Sequence, residues 1–165
     1  MNKETKISYV QLRVAPSEKK AIAHQAKLAK MGMSQWILSR ILPSRQQEIE
    51  VLLEQLAKED NPRFVLAEIH DLLFSLSAVE FQQVLTAAPG VHLTSYWANY
   101  LAATVEYAAH QKGVSAPVWT RDIQPLDKPV FVTDLVSLRL HLLFASPPCF
   151  RNRNIFIDSS VGARV

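Results

Sequence analysis

Polar and apolar residues alternate over Ile7-Ser8-Tyr9-Val10-Gln11-Leu12-Arg13-Val14, and a helical spacing then takes over for most of the chain. Side chains of a strand point to opposite faces in turn, so Val10, Leu12 and Val14 share one face and Tyr9, Gln11 and Arg13 the other. A lone strand cannot bury its apolar face and leaves two unpaired edges. The same strand of a second copy is the simplest partner. Pairing would give an antiparallel ribbon with the apolar trio inward and Tyr9, Gln11 and Arg13 outward, a width that fits the DNA major groove.

Pro16 opens a helix expected to reach Lys30, with Ile22, Ala26 and Ala29 at i, i+4, i+7. A second helix is expected from Ser34, a good N-cap, to about Leu42, burying Trp36, Ile37, Ile41 and Leu42 before Pro43 ends it. Residues 44–60 read as a third helix with Ile49, Leu52, Leu53 and Leu56 on one side, supported by a Glu54–Lys58 pair. A fourth, 63–76, carries Val65, Ile69, Leu72, Leu73 and Leu76. Ser77 and Glu80 have the spacing of a capping box for the next, which Pro89-Gly90 stops. Thr94 caps a long helix to about Lys112, striped by Trp97, Leu101, Thr104, Val105 and Ala108 and ended by Gly113. A loop with Pro117, Pro125 and Pro129 leads to a last helix from Thr133 or Asp134, with Leu135, Leu138, Leu142 and Phe144 along it. The fold class is mainly α. A module at 1–43 precedes a helical domain at 44–146, and 147–165 forms an extended tail.

Two stretches in fixed order, Pro16-Ser17-Glu18-Lys19 and Met31-Gly32-Met33-Ser34-Gln35-Trp36-Ile37, follow the strand. With it they resemble a ribbon-helix-helix DNA-binding domain of the antitoxin kind over about a quarter of the chain. Two positions depart from that pattern. Ala15 stands where Ser or Thr usually caps, so the first helix has a weak start or uses Ser17. Lys30 stands where Gly often ends that helix, so Gly32 is expected to supply the left-handed turn. The resemblance implies a homodimer with Val10, Leu12, Val14, Ile22, Trp36 and Ile37 in its core. It implies base reading by Tyr9, Gln11 and Arg13, and phosphate contact at Met33, Ser34 and Gln35. A free helix N-terminus favours an anion at that last place; Ser34 could equally be a plain cap. Lys3 and Lys6 either reach phosphates or belong to a frayed arm.

Charge bears on this reading. Residues 1–43 hold eight basic and two acidic side chains, +6, whereas the rest hold ten basic and thirteen acidic, −3. A dimer would concentrate a net charge of about +12 on one small module, as a polyanion partner requires. The bland alternative is a solvated helix face.

The tail breaks the helical pattern: Pro147-Pro148-Cys149-Phe150-Arg151-Asn152-Arg153-Asn154-Ile155-Phe156-Ile157. Phe150, Ile155, Phe156 and Ile157 are apolar beside Arg151 and Arg153, a composition of interface anchors. It either orders on a partner or packs back on its own domain. The ending also resembles that of small bacterial proteins encoded beside nucleotidyltransferase-type toxins, which implies toxin binding by these six residues.

Nothing points to an enzyme, a metal or a cofactor. His24, His70, His92, His110 and His141 lack ligand spacing, the single Cys149 has no His near it, and no Gly-rich phosphate loop occurs. No stretch is long and apolar enough for a membrane span, and the first residues carry no secretory signal. The expectation is a bacterial cytoplasmic protein, at the nucleoid through double-stranded DNA. It would be an antitoxin and autorepressor that also binds a toxin. A relaxosome accessory protein of the same N-terminal fold, which binds origin DNA and recruits a relaxase, is the alternative. From another class, an interaction scaffold whose strand pairs with a different protein is a third.

Overall fold

The computed structural model describes residues 11–41, 44–59 and 61–158. It is mainly helical, and the chain divides into two compact units, Met1–Ser44 and Arg45–Val165. Lys3, Lys6, Tyr9, Val10, Leu42 and Pro43, named above, lie outside the described residues.

In the first unit α1 (Pro16–Leu28) packs on α2 (Met33–Ile41). Ala15 offers no side-chain acceptor to α1. Glu18 supplies the reciprocal contact alone, its Oε2 accepting from the Ala15 N–H at 2.7 Å. Ser17 lies inside the first turn and is not the cap. Lys30, not Gly32, takes the left-handed turn, with φ 53°. The Met31 N–H donates to Ala26 O at 3.0 Å and the Lys30 N–H to Lys27 O at 3.1 Å. Those two bonds make a complete Schellman ending on a lysine.

The second unit is built around α6 (Ser95–Gln111). Nine of its residues, from Asn99 to Ala109, are buried, because apolar or small side chains surround the helix on almost every side. Thr94 caps its start, accepting from the Trp97 N–H at 3.4 Å, and Gly113 (φ 66°) follows its end. One side of α6 joins α3 (Arg45–Lys58), α4 (Arg63–Ser75) and α5 (Ala78–Val84) in a core of Leu53, Leu56, Leu73, Phe81 and Val105. The Ser77 and Glu80 capping box forms, and Glu54 pairs with Lys58 at 3.6 Å. Lys112 crosses to the end of α4, donating to Phe74 O at 3.0 Å and Leu76 O at 2.7 Å, where free carbonyls favour a cation. Trp119, on a short 3-10 turn (Val118–Asp122), donates from Nε1 to Leu85 O at 2.9 Å.

The other side of α6 is covered by the C-terminal segment, which corrects the expectation of an extended tail. After β1 (Val130–Phe131) and α7 (Val136–Ala145), Pro148 starts a one-turn helix, α8 (Pro148–Arg151), and β2 (Ile155–Phe156) pairs parallel with β1. Val130 faces Ile155 and Phe131 faces Phe156, with Val130 N–H to Asn154 O at 2.8 Å and Val132 N–H to Phe156 O at 3.0 Å. Tyr100, Ala103, Phe150, Ile155 and Ile157 form this second core. Among the described residues no helix is long and apolar enough to cross a membrane.

Candidate functional site

The first unit's described part is a helical hairpin with little covered. Ala26 is buried, Ile22, Trp36 and Ile37 are half-buried, and Leu12, Val14, Leu28 and Ile41 are exposed. Of the ten large apolar side chains at 11–41, seven are exposed and three are half-buried. Among the described residues none pairs with 11–14 as a strand, and Gln11 and Arg13 are exposed. Lys19, Lys20, Lys27 and Lys30 are exposed as well.

Gly32 begins α2, its carbonyl accepting from the Trp36 N–H at 2.8 Å, so Ser34 is a first-turn residue and not the cap. Met33, Ser34 and Gln35 are exposed there, and no acidic side chain stands in that turn. The backbone N–H groups of a first turn have no intrahelical acceptor, so this end is open to an anion in charge and geometry. The Arg40 guanidinium, in the last turn, stands 5.6 Å from the Trp36 ring centre.

The six tail residues expected to meet a toxin do not form one surface. Phe150, Arg153, Ile155 and Ile157 are buried within their own unit. They can reach no partner while the unit is folded. Arg151 is exposed and Phe156 partly so, its ring stacked on Phe131 at 4.8 Å between centres. Cys149 is half-buried, and burial, then the nearby Glu106 carboxylate, push its thiol up, away from the reactive thiolate.

Arg153 is the unforeseen feature. Its Nη2 donates to Glu106 Oε1 and to Thr120 O, both at 2.6 Å, and its Nη1 to Asn99 Oδ1 at 3.2 Å and Ile123 O at 3.3 Å. Asn99 in turn donates to Ser95 O at 3.0 Å and Gln124 O at 2.9 Å. Asn99 and Glu106 stand seven residues apart, two helical turns, with Ala103 between them, so α6 presents a small-floored polar slot. That i, i+7 polar pair in a helix rich in alanine and aromatic residues, with buried Arg153, Ile155 and Ile157 at period two, is the signal in the sequence that could have found the contact. A buried guanidinium with a carboxylate and three other acceptors is a structural lock.

His70, also buried, lies with Nε2 3.4 Å from the Tyr100 hydroxyl, and burial lowers its pKa below the usual imidazole value. No protein-family model, no curated protein and no solved structure matches this chain.

Proposed function

We propose that this protein is a dimeric ribbon-helix-helix DNA-binding protein that serves as antitoxin and autorepressor in a toxin-antitoxin system. The observation that carries the proposal is the uncovered hairpin of the first unit. Leu12 and Val14 are exposed, and Ile22, Trp36 and Ile37 are only half-buried, within a segment carrying +6. A second copy, paired through residues 7–14, would cover the apolar set and double the positive charge. Those are the two things a small DNA-binding module needs.

In this reading Gln11 and Arg13, with Tyr9, face the bases: Arg13 is suited to guanine and Gln11 to adenine. The open first turn of α2, at Met33, Ser34 and Gln35, receives a backbone phosphate. Lys3 and Lys6 add contacts outside the groove. The second unit is the part that holds the toxin, of nucleotidyltransferase type by the resemblance of the chain's ending. Of the tail residues, Arg151 and Phe156 remain available to it.

The test is fluorescence anisotropy of the full-length protein on DNA from upstream of its own gene. Arg13→Ala is expected to weaken binding by about 1–3 kcal/mol, the size of a lost bidentate base contact, with an unchanged circular dichroism spectrum. Unchanged affinity in that variant would refute the ribbon reading.

A further inference from the structure

The helix α1 carries Lys19, Lys20, His24 and Lys27, all exposed. At about 100° per residue these four fall within a sector of about 140°, turned away from the side that holds Ile22, Ala26 and Ala29. No acid interrupts the sector. Glu18 is the one acidic side chain among residues 11–41; it lies outside the sector, and its Oε2 accepts from the Ala15 N–H at 2.7 Å. An ordinary solvated helix face is different, as α3 shows. There Arg45 pairs with Glu48 at 2.8 Å and Lys58 with Glu54 at 3.6 Å. Acids three or four residues from a base neutralise such a face. None stands at either distance from Lys19, Lys20 or Lys27.

Lysines gathered without a counter-charge repel one another. Lys20 and Lys27 stand about 10 Å apart along the axis, about one screening length at ordinary salt. We infer that the outer face of α1 is a phosphate-contact surface, which receives the sugar-phosphate backbone of duplex DNA beside the base pairs that the ribbon reads. The inference rests on the reading that this unit binds DNA, and it extends that reading to a face left unused there. Charge complementarity selects the occupant. A duplex carries one negative charge per roughly 1.7 Å of its axis, so three lysines spread over about 12 Å of helix meet phosphates whatever the base sequence. The kind of cation agrees. All three are lysines, compact point charges suited to a phosphate, where a base edge or a carboxylate favours the arginine fork. The position agrees too, because α1 begins three residues after Arg13. Contacts of this kind fix a protein on the duplex and carry no base information.

The test is a salt titration of DNA binding by the full-length wild type, a Lys20→Gln, Lys27→Gln double variant and His24→Glu. Each is measured on DNA from upstream of the gene and on a duplex of unrelated sequence. In a dimer the double variant loses four contacts. At about 0.9 per contact, the slope of log affinity against log salt should become shallower by about 3.6. Between 50 mM and 200 mM salt the wild type should therefore lose on the order of 100-fold more affinity than the variant. The loss should be the same on both duplexes, since phosphates are common to them. His24→Glu places an acid four residues after Lys20 and three before Lys27, pairs that support a helix. It should keep or raise the thermal midpoint of the first unit while DNA affinity falls, whereas a folding defect would lower both. Wild-type binding with an unaltered slope in the double variant would overturn the α1 face and leave the ribbon reading standing. Absence of salt-dependent binding by the wild type would overturn the two together. The face would also be refuted by unchanged DNA binding together with an acidic protein that co-purifies with the wild type and is lost from the double variant.

Discussion

Arg153 decides where the last described residues lie. Its guanidinium is buried against Glu106, Asn99 and two backbone carbonyls, so removing it strands a carboxylate in a largely dry slot. Arg153→Ala should cost about 3 kcal/mol, read as a lower urea midpoint of the second unit, the size found when one partner of a buried pair is removed. Lys30 works in the opposite direction. A left-handed backbone costs a side-chain-bearing residue about 1–2 kcal/mol, and Lys30 holds φ 53°. Lys30→Gly should therefore raise the thermal midpoint of the first unit, by an amount equivalent to about 1 kcal/mol.

His70 sets a pH dependence. Its folded pKa is depressed by burial, so the unfolded chain takes up the proton first. Its contribution is fully present above about pH 6.5, the unfolded value, and is lost as the pH falls from there toward the lower folded value. Urea midpoints at pH 7.5 and 5.5 should differ in the wild type and differ less in His70→Phe. Equal pH sensitivity in the two proteins would show that His70 is not the group responsible.

At the scale of elements, the long helices were legible because their signals are local. Thr94 before Trp97, Ser77 before Glu80, and the spacing of Leu53, Leu56, Val65 and Ile69 act within one or two turns. What the pattern could not give was long-range. Arg153 carries no local signal of burial, because its acceptors, Asn99 and Glu106, lie 54 and 47 residues away. The parallel pairing of Val130–Phe131 with Ile155–Phe156 joins two-residue strands, too short for any alternation to show. Phe150 and Ile155 read as interface anchors, since an aromatic-aliphatic composition is the same for a core and for a partner surface. The candidate DNA residues were legible only as far as Gln11, Arg13 and Met33–Gln35 being exposed; Ser34 read as a cap because Gly32, which starts α2, gives no side-chain signal. Because Phe150, Arg153, Ile155 and Ile157 are buried in the second unit, deletion of residues 147–165 should unfold that unit, with loss of cooperative thermal unfolding. A truncated chain that still unfolded cooperatively at the wild-type temperature would contradict the role given to Phe150, Arg153 and Ile155.

At the scale of the whole molecule, charge and apolar surface divide between the two units. The basic excess falls in residues 1–43, and the rest of the chain is net acidic. The second unit encloses two cores around α6, whereas the described part of the first buries Ala26 alone. A unit with much charge and little core is completed by a partner, and the proposal supplies two: a second copy for the apolar side and DNA for the charge. The measurement that tests this most directly is a titration of the full-length protein on its own upstream DNA at 50 mM and 200 mM salt, with the stoichiometry of the complex determined. The account predicts two chains, or a multiple of two, per site and an affinity that falls by about 10³-fold or more between those salts, as several phosphate contacts require. Binding no tighter than to unrelated DNA, or an affinity indifferent to salt, would contradict it.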